Sequence, residues 1–196
     1  MYVIHPNRFT VRRLTTAAIC LTLCMVLPFL TGQIPQVGSA LCPMHIPVLL
    51  AGFVCGPWWA TVVGAAAPLL RFALFGMPPI FPTGLAMSFE LSAYGLVSGL
   101  LYSKLPRRIG SIYTSLICAM LTGRIIWGLV MVLILNATGS IFTWAAFLAG
   151  AFTNAIPGII AHLIFIPLLV LSLQKSGIIP AGERQATTSV NAYVGL

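Results

Sequence analysis

The amino-acid sequence predicts an all-α integral membrane protein with six transmembrane helices, a short second helix and both termini in the cytoplasm. Three observations carry this prediction. Of 196 residues, 59% are apolar and 6% charged, where a soluble domain carries about a quarter charged residues. The mean hydropathy is +1.04, and the apolar residues fall in runs long enough to cross a hydrocarbon core of about 30 Å. The charges sit between those runs. Such a chain cannot clothe a water-facing surface, which excludes a soluble enzyme, and its hydrophobicity excludes a disordered segment. Ten Lys and Arg stand against two acidic residues, a net charge of +8. In a soluble chain that would suggest nucleic acid; here it reports topology, and no nucleic-acid partner is expected.

The first span runs from about residue 13 to 30, behind Arg8, Arg12 and Arg13. It lacks a clear small-residue cleavage site and reads as a retained helix. An uncharged loop with Gly32, Pro35, Gly38 and Pro43 follows. The second span, about 46–55, ends at Gly56-Pro57 and is short for a perpendicular crossing. The charges require it nonetheless. With it, Lys104, Arg107, Arg108, Lys175 and Arg184 join the N-terminal arginines on the cytoplasmic side, as Lys and Arg do in membrane proteins; without it, the 104–108 cluster would lie outside. The third span, about 58–75, is closed by Gly76-Met77-Pro78-Pro79. The fourth covers about 83–102, the fifth 112–135 and the sixth 143–173. Residues 1–175 thus form the membrane domain, and 176–196 a polar, mobile cytoplasmic tail.

The five cysteines, at 20, 24, 42, 55 and 118, form no CxxC and no disulfide framework; those within apolar runs read as small hydrophobes. No Walker A and no HExxH is present, so any ATPase is a separate chain and no metal site or resident cofactor is expected.

Ionisable residues inside spans are costly, at least about 2.5–3.5 kcal/mol each on insertion scales, and normally face a partner or a wet cavity. Three stand out: Arg71, Glu90 and Arg124. They could converge on one outward-facing cavity, leaving one positive charge for an anionic ligand such as a carboxylate. The simpler alternative is an internal Arg–Glu pair that holds helices together. Asn154, flanked by Gly150 and Gly158, either binds ligand or marks close helix packing. His162 reads as a satisfied structural histidine. In Cys42-Pro43-Met44-His45-Ile46-Pro47, Met44 and His45 line the cavity mouth; alternatively they ligate haem iron. Phe81, Phe89, Tyr94, Trp127 and Trp144 are candidate walls, and Tyr94 shares the helix face of Glu90. Gly95 and Gly99 form a close-packing pair. Two rows of small residues mark the first helix: Thr16, Cys20 and Cys24, and Ala18 with Thr22.

Order and spacing over nearly the whole chain resemble the substrate-binding S component of energy-coupling factor (ECF) micronutrient transporters. The closest local match is residues 43–102. It includes His45-Ile46-Pro47-Val48-Leu49-Leu50, Pro68-Leu69-Leu70-Arg71, Gly76-Met77-Pro78-Pro79, Phe81-Pro82, Glu90-Leu91, Tyr94-Gly95 and Gly99-Leu100-Leu101-Tyr102. The resemblance implies a membrane subunit, not itself an enzyme, that captures a vitamin-like micronutrient outside a bacterial cytoplasmic membrane. It then topples in the membrane with a transmembrane T component and two cytoplasmic ATPases. It also implies a pocket using the last three helices, carried onto Glu90, Tyr94, Arg124, Trp127 and Asn154 by position. The Ala-x-x-x-Ala surface of the family's first helix finds its nearest counterpart in Ala18 and Thr22. The extra positive charge favours an anion, pantothenate first, then niacin or lipoate; a haem ligand through Met44 and His45 is the alternative cargo. A stand-alone carrier or channel, a membrane enzyme and a ligand-free scaffold are the competing classes.

Overall fold

The computed structural model describes residues 8–31, 41–106, 108–139, 143–151 and 155–179. Among these residues the structure is helical, without a strand. Helix α1 (Arg8–Val26) continues into a 3₁₀ turn, Leu27–Thr31, at Pro28. Helix α2 is His45–Cys55, α3 Pro57–Phe75 and α4 Leu85–Lys104, the last entered through a wide turn at Ile80–Gly84. Helix α5 is Ile109–Ala137, α6 Trp144–Ala151 and α7 Ile156–Lys175.

Local chemistry sets these boundaries. Pro57 begins α3, where its missing N–H costs nothing. Gly76 ends it at φ 70°, a conformation glycine adopts freely, donating its N–H to the Phe72 carbonyl at 2.8 Å. Within the expected sixth span, 143–173, the structure describes two helical stretches, α6 and α7, and residues 152–154 between them lie outside the described residues. Pro157 sits in the first turn of α7, where a helix starts more readily than it continues.

Five helical segments are long and apolar enough to cross a membrane: Val11–Leu30, Pro57–Phe75, Ile80–Lys104, Ile109–Ala137 and Ile156–Lys175. Helix α2, with 11 residues, spans only about 16 Å. Most of it is buried, including His45, Val48, Leu49, Ala51 and Phe53. It is a core helix wrapped by longer ones.

Contacts along the helices fix their directions. His45 meets Tyr94 and Phe53 meets Tyr102, at 5.3 and 4.9 Å between ring centroids, so α2 runs parallel to α4. His162 stacks on His45, and Gln174 donates to the Tyr102 hydroxyl at 2.6 Å, so α7 runs the same way. Helix α3 is antiparallel to α4: Gly64 packs on Leu91, Gly95 on Ala60 and Gly99 on Pro57. A Cβ at Gly95 or Gly99 would drive into that facing backbone, the physical reason for glycine at both. Helix α1 begins beside the end of α7, where Arg12 donates to the Ile178 carbonyl at 2.9 Å, and ends beside Arg71 of α3. One end of the bundle therefore carries Arg12, Lys104, Arg108 and Lys175; Arg71 lies toward the other.

Of the tail expected from residue 176, the structure describes residues 176–179. The N–H groups of Ile178 and Ile179 bond the Leu173 carbonyl, and Ile179 is buried. Residues 180–196 lie outside the described residues.

Candidate functional site

The carboxylate of Glu90 is enclosed in the centre of the bundle, 1% exposed. Its Oε1 lies 3.0 Å from the Arg124 guanidinium of α5 and accepts the Tyr94 hydroxyl at 2.9 Å, from one turn along its own helix. A charge at this depth is tolerated only with such partners. The Tyr94 ring reaches its position because α5 presents Gly123; a Cβ there would overlap the ring.

Helices α2 and α7 and the segment before α2 complete the cluster. The Nε2 of His45 lies 3.6 Å from Glu90 Oε1, beyond hydrogen-bond distance. Neither ring nitrogen of this buried side chain has a hydrogen-bond partner among the described residues. Such orphaned buried groups are uncommon in proteins. The His45 ring is flanked by Tyr94 and, at 5.9 Å and 20° between planes, by His162. His162 Nε2 lies 3.3 Å from the Cys42 carbonyl oxygen. The Cys42 thiol receives the Arg124 Nη2 at 3.8 Å, with its backbone in the left-handed region at φ 48°. Burial pushes this thiol above its ordinary pKa despite the neighbouring guanidinium. The result is a buried polar cluster of Cys42, His45, Glu90, Tyr94, Arg124 and His162, drawn from four helices and one loop.

Arg71 is the main correction. It does not join Glu90 and Arg124. Its Nη1 donates to the Met25 carbonyl at 2.7 Å, and its guanidinium lies 5.3 Å from the ring centroids of both Phe29 and Phe75. It caps the last turn of α1, where carbonyls lack helical partners. The expectation of two arginines and one carboxylate around a single cavity therefore fails.

The other expected residues separate as well. Met44 is buried beside the cluster, its carbonyl accepting the Cys24 thiol. Trp127, one turn beyond Arg124 on α5, packs on Phe147 and Gly150 of α6. Phe81 and Phe89 are exposed, so neither is an inner wall. Asn154 and the Trp144 side chain lie outside the described residues. His162, expected to be merely structural, stands in the cluster, and Cys42 joins it. On α1, Cys20 and Cys24 face inward while Ala18 and Thr22 face outward, with the Thr22 hydroxyl donating to the Ala18 carbonyl at 3.0 Å. A separate cavity of about 490 Å³ between α5 and α7, lined by Tyr113, Leu163, Pro167, Leu171 and Lys175 among others, touches none of the cluster.

Long apolar helices around a charge-paired polar centre define a multi-pass membrane protein. The chain belongs to the family of ECF transporter substrate-specific components, which matches it over residues 12–170. Members are substrate-binding membrane subunits of importers. Comparison with curated proteins and with solved structures found no match.

Proposed function

We propose that this protein is the S component of an ECF importer that captures a vitamin-like micronutrient at the cluster of Cys42, His45, Glu90, Tyr94, Arg124 and His162. The observation that carries the reading is His45: a buried side chain 3.6 Å from Glu90, neither ring nitrogen in a hydrogen bond among the described residues, at the start of a core helix. Burying an unpartnered polar group costs stability, and a ligand hydrogen bond would offset that cost.

The alternation of helix directions supports a short second crossing by α2, hence six crossings and both termini on the basic, cytoplasmic side of a bacterial cytoplasmic membrane. Met44 and Trp127, with Phe81 toward the outer end, would border the route to the cluster, and Asn154 remains a proposed ligand contact from the sequence alone. The outward row of Ala18 and Thr22 offers the T component a flat surface, since small side chains let helices approach closely. Two ATPases below the T component would supply the energy, and the S component would topple to deliver its cargo.

Pantothenate was favoured by an excess positive charge in one cavity. With Arg71 elsewhere, that argument no longer singles out an anion. Haem, with Met44 and His45 at iron, draws support from the unengaged His45 nitrogens. Against it, both faces of the His45 ring are covered, by Tyr94 and His162, where a porphyrin would need open space.

The test is reconstitution in liposomes. The chain with a T component and ATPases should accumulate the micronutrient only with ATP inside the compartment that holds the ATPases. Accumulation by the chain alone would instead establish a stand-alone carrier.

A further inference from the structure

We propose that the compound held at the cluster is net-neutral at physiological pH, either uncharged with adjacent hydrogen-bond donor and acceptor, as in an amide or ureide, or zwitterionic. The inference rests on the reading of the cluster as the capture site and adds the chemical class of its ligand.

The argument is a balance of charges. The sequence holds two acidic residues, Glu90 and Glu183. Glu90 is committed to Arg124 at 3.0 Å and to the Tyr94 hydroxyl. Arg71, the other buried cation, is engaged at the end of α1 with a carbonyl and two aromatic faces. Among the described residues, the other groups facing the pair are His45 from α2, His162 from α7 and Cys42 from the segment before α2. None carries a fixed charge. With its ion pair intact the site has no fixed charge to spare, and a ligand of net charge would be desolvated against no fixed opposite charge.

The pair does offer polar contacts to a neutral ligand. One arm of Arg124 points at a thiol, a weak acceptor, at 3.8 Å. A carbonyl oxygen would accept better from it. An adjacent ligand N–H can donate to Glu90 or to the unengaged nitrogens of His45. Such a donor–acceptor pattern is satisfied without separating Glu90 from Arg124.

The experiment starts from protein purified in mild detergent from cells grown in rich medium. The small molecule released on denaturation is identified by mass spectrometry, and its affinity is compared with that of a charge-matched analogue, amide against carboxylate. The expected result is a net-neutral compound that binds at least about ten-fold tighter than its charged analogue, because the charged form meets a site whose fixed charges are already paired. Glu90→Gln, which leaves Arg124 unpaired, should narrow or reverse that preference toward the carboxylate. A released compound of net charge, or a preference unchanged in Glu90→Gln, overturns the proposal. The same compound released in the same amount by the Glu90→Gln/Arg124→Gln double variant, or none released by the wild type, overturns the capture-site reading beneath it.

Discussion

Oε1 of Glu90 on α4 lies 3.0 Å from the guanidinium of Arg124 on α5. Each charge is the other's compensation in the buried centre of the bundle. Removing one partner leaves a buried charge alone, whereas removing both removes the penalty with the attraction. Arg124→Gln and Glu90→Gln should each destabilise the protein by about 3–5 kcal/mol. The double variant should recover most of the loss. Thermal unfolding of the three variants in one detergent gives the coupling directly; additive losses would show that the pair is not held together in the folded protein.

Tyr94 donates to the same carboxylate and packs into the space left by Gly123. Tyr94→Phe keeps the ring and loses a hydrogen bond to a charged acceptor, a cost of about 1.5–3 kcal/mol. Gly123→Ala should destabilise by about 1–3 kcal/mol through overpacking. A smaller residue at 94, as in Tyr94→Leu/Gly123→Ala, should relieve the overlap, so the two losses should be less than additive. Chemical unfolding of the singles and the double checks it.

Arg71 ties α1 to α3 through the Met25 carbonyl and the Phe29 and Phe75 rings. Arg71→Ala should lower stability by about 1–3 kcal/mol by leaving a buried carbonyl without its partner. Arg71→Lys restores charge but not the planar stacking on two rings, so rescue should be partial. Bound compound per folded protein should stay at the wild-type level in both. A selective loss of ligand with unchanged stability would return Arg71 to the binding site.

Ala18 and Thr22 are exposed on α1 and make no inward packing. Ala18→Leu and Thr22→Leu should change stability by no more than about 0.5 kcal/mol, as surface substitutions do. Co-purification with the T component should fall sharply, with ligand retention intact. Undiminished co-purification would assign the T-component surface to another helix.

Legibility in the sequence followed chemical rarity. Glu90 and Arg124 stood out because charges inside apolar runs are few, and Tyr94 because it lies one turn from Glu90 on the same face. Helices α3, α4 and α5 were readable from apolar runs closed by Gly-Pro signals and cations. The parting of Arg71 from Arg124 was not readable, because which helix faces meet depends on packing, and the Phe29 and Phe75 rings that hold Arg71 are ordinary residues of apolar segments. The stacking of His162 on His45 was not readable either, because which faces of α2 and α7 meet depends on packing. The segment from Cys42 to Pro47 stood out, but the approach of the Cys42 thiol to Arg124 did not, since it depends on a left-handed backbone that cysteine rarely adopts. Two histidines in apolar runs, His45 and His162, were the signal available for that side of the cluster.

The central claim is that the buried cluster captures a small molecule. The most direct measurement is native mass spectrometry of wild type and of the Glu90→Gln/Arg124→Gln/His45→Ala variant, purified alike from cells grown in rich medium and matched for folded fraction. The predicted result is a single small-molecule adduct on the wild type and none on the variant. An adduct of the same mass and abundance on both, or none on either, would contradict the account.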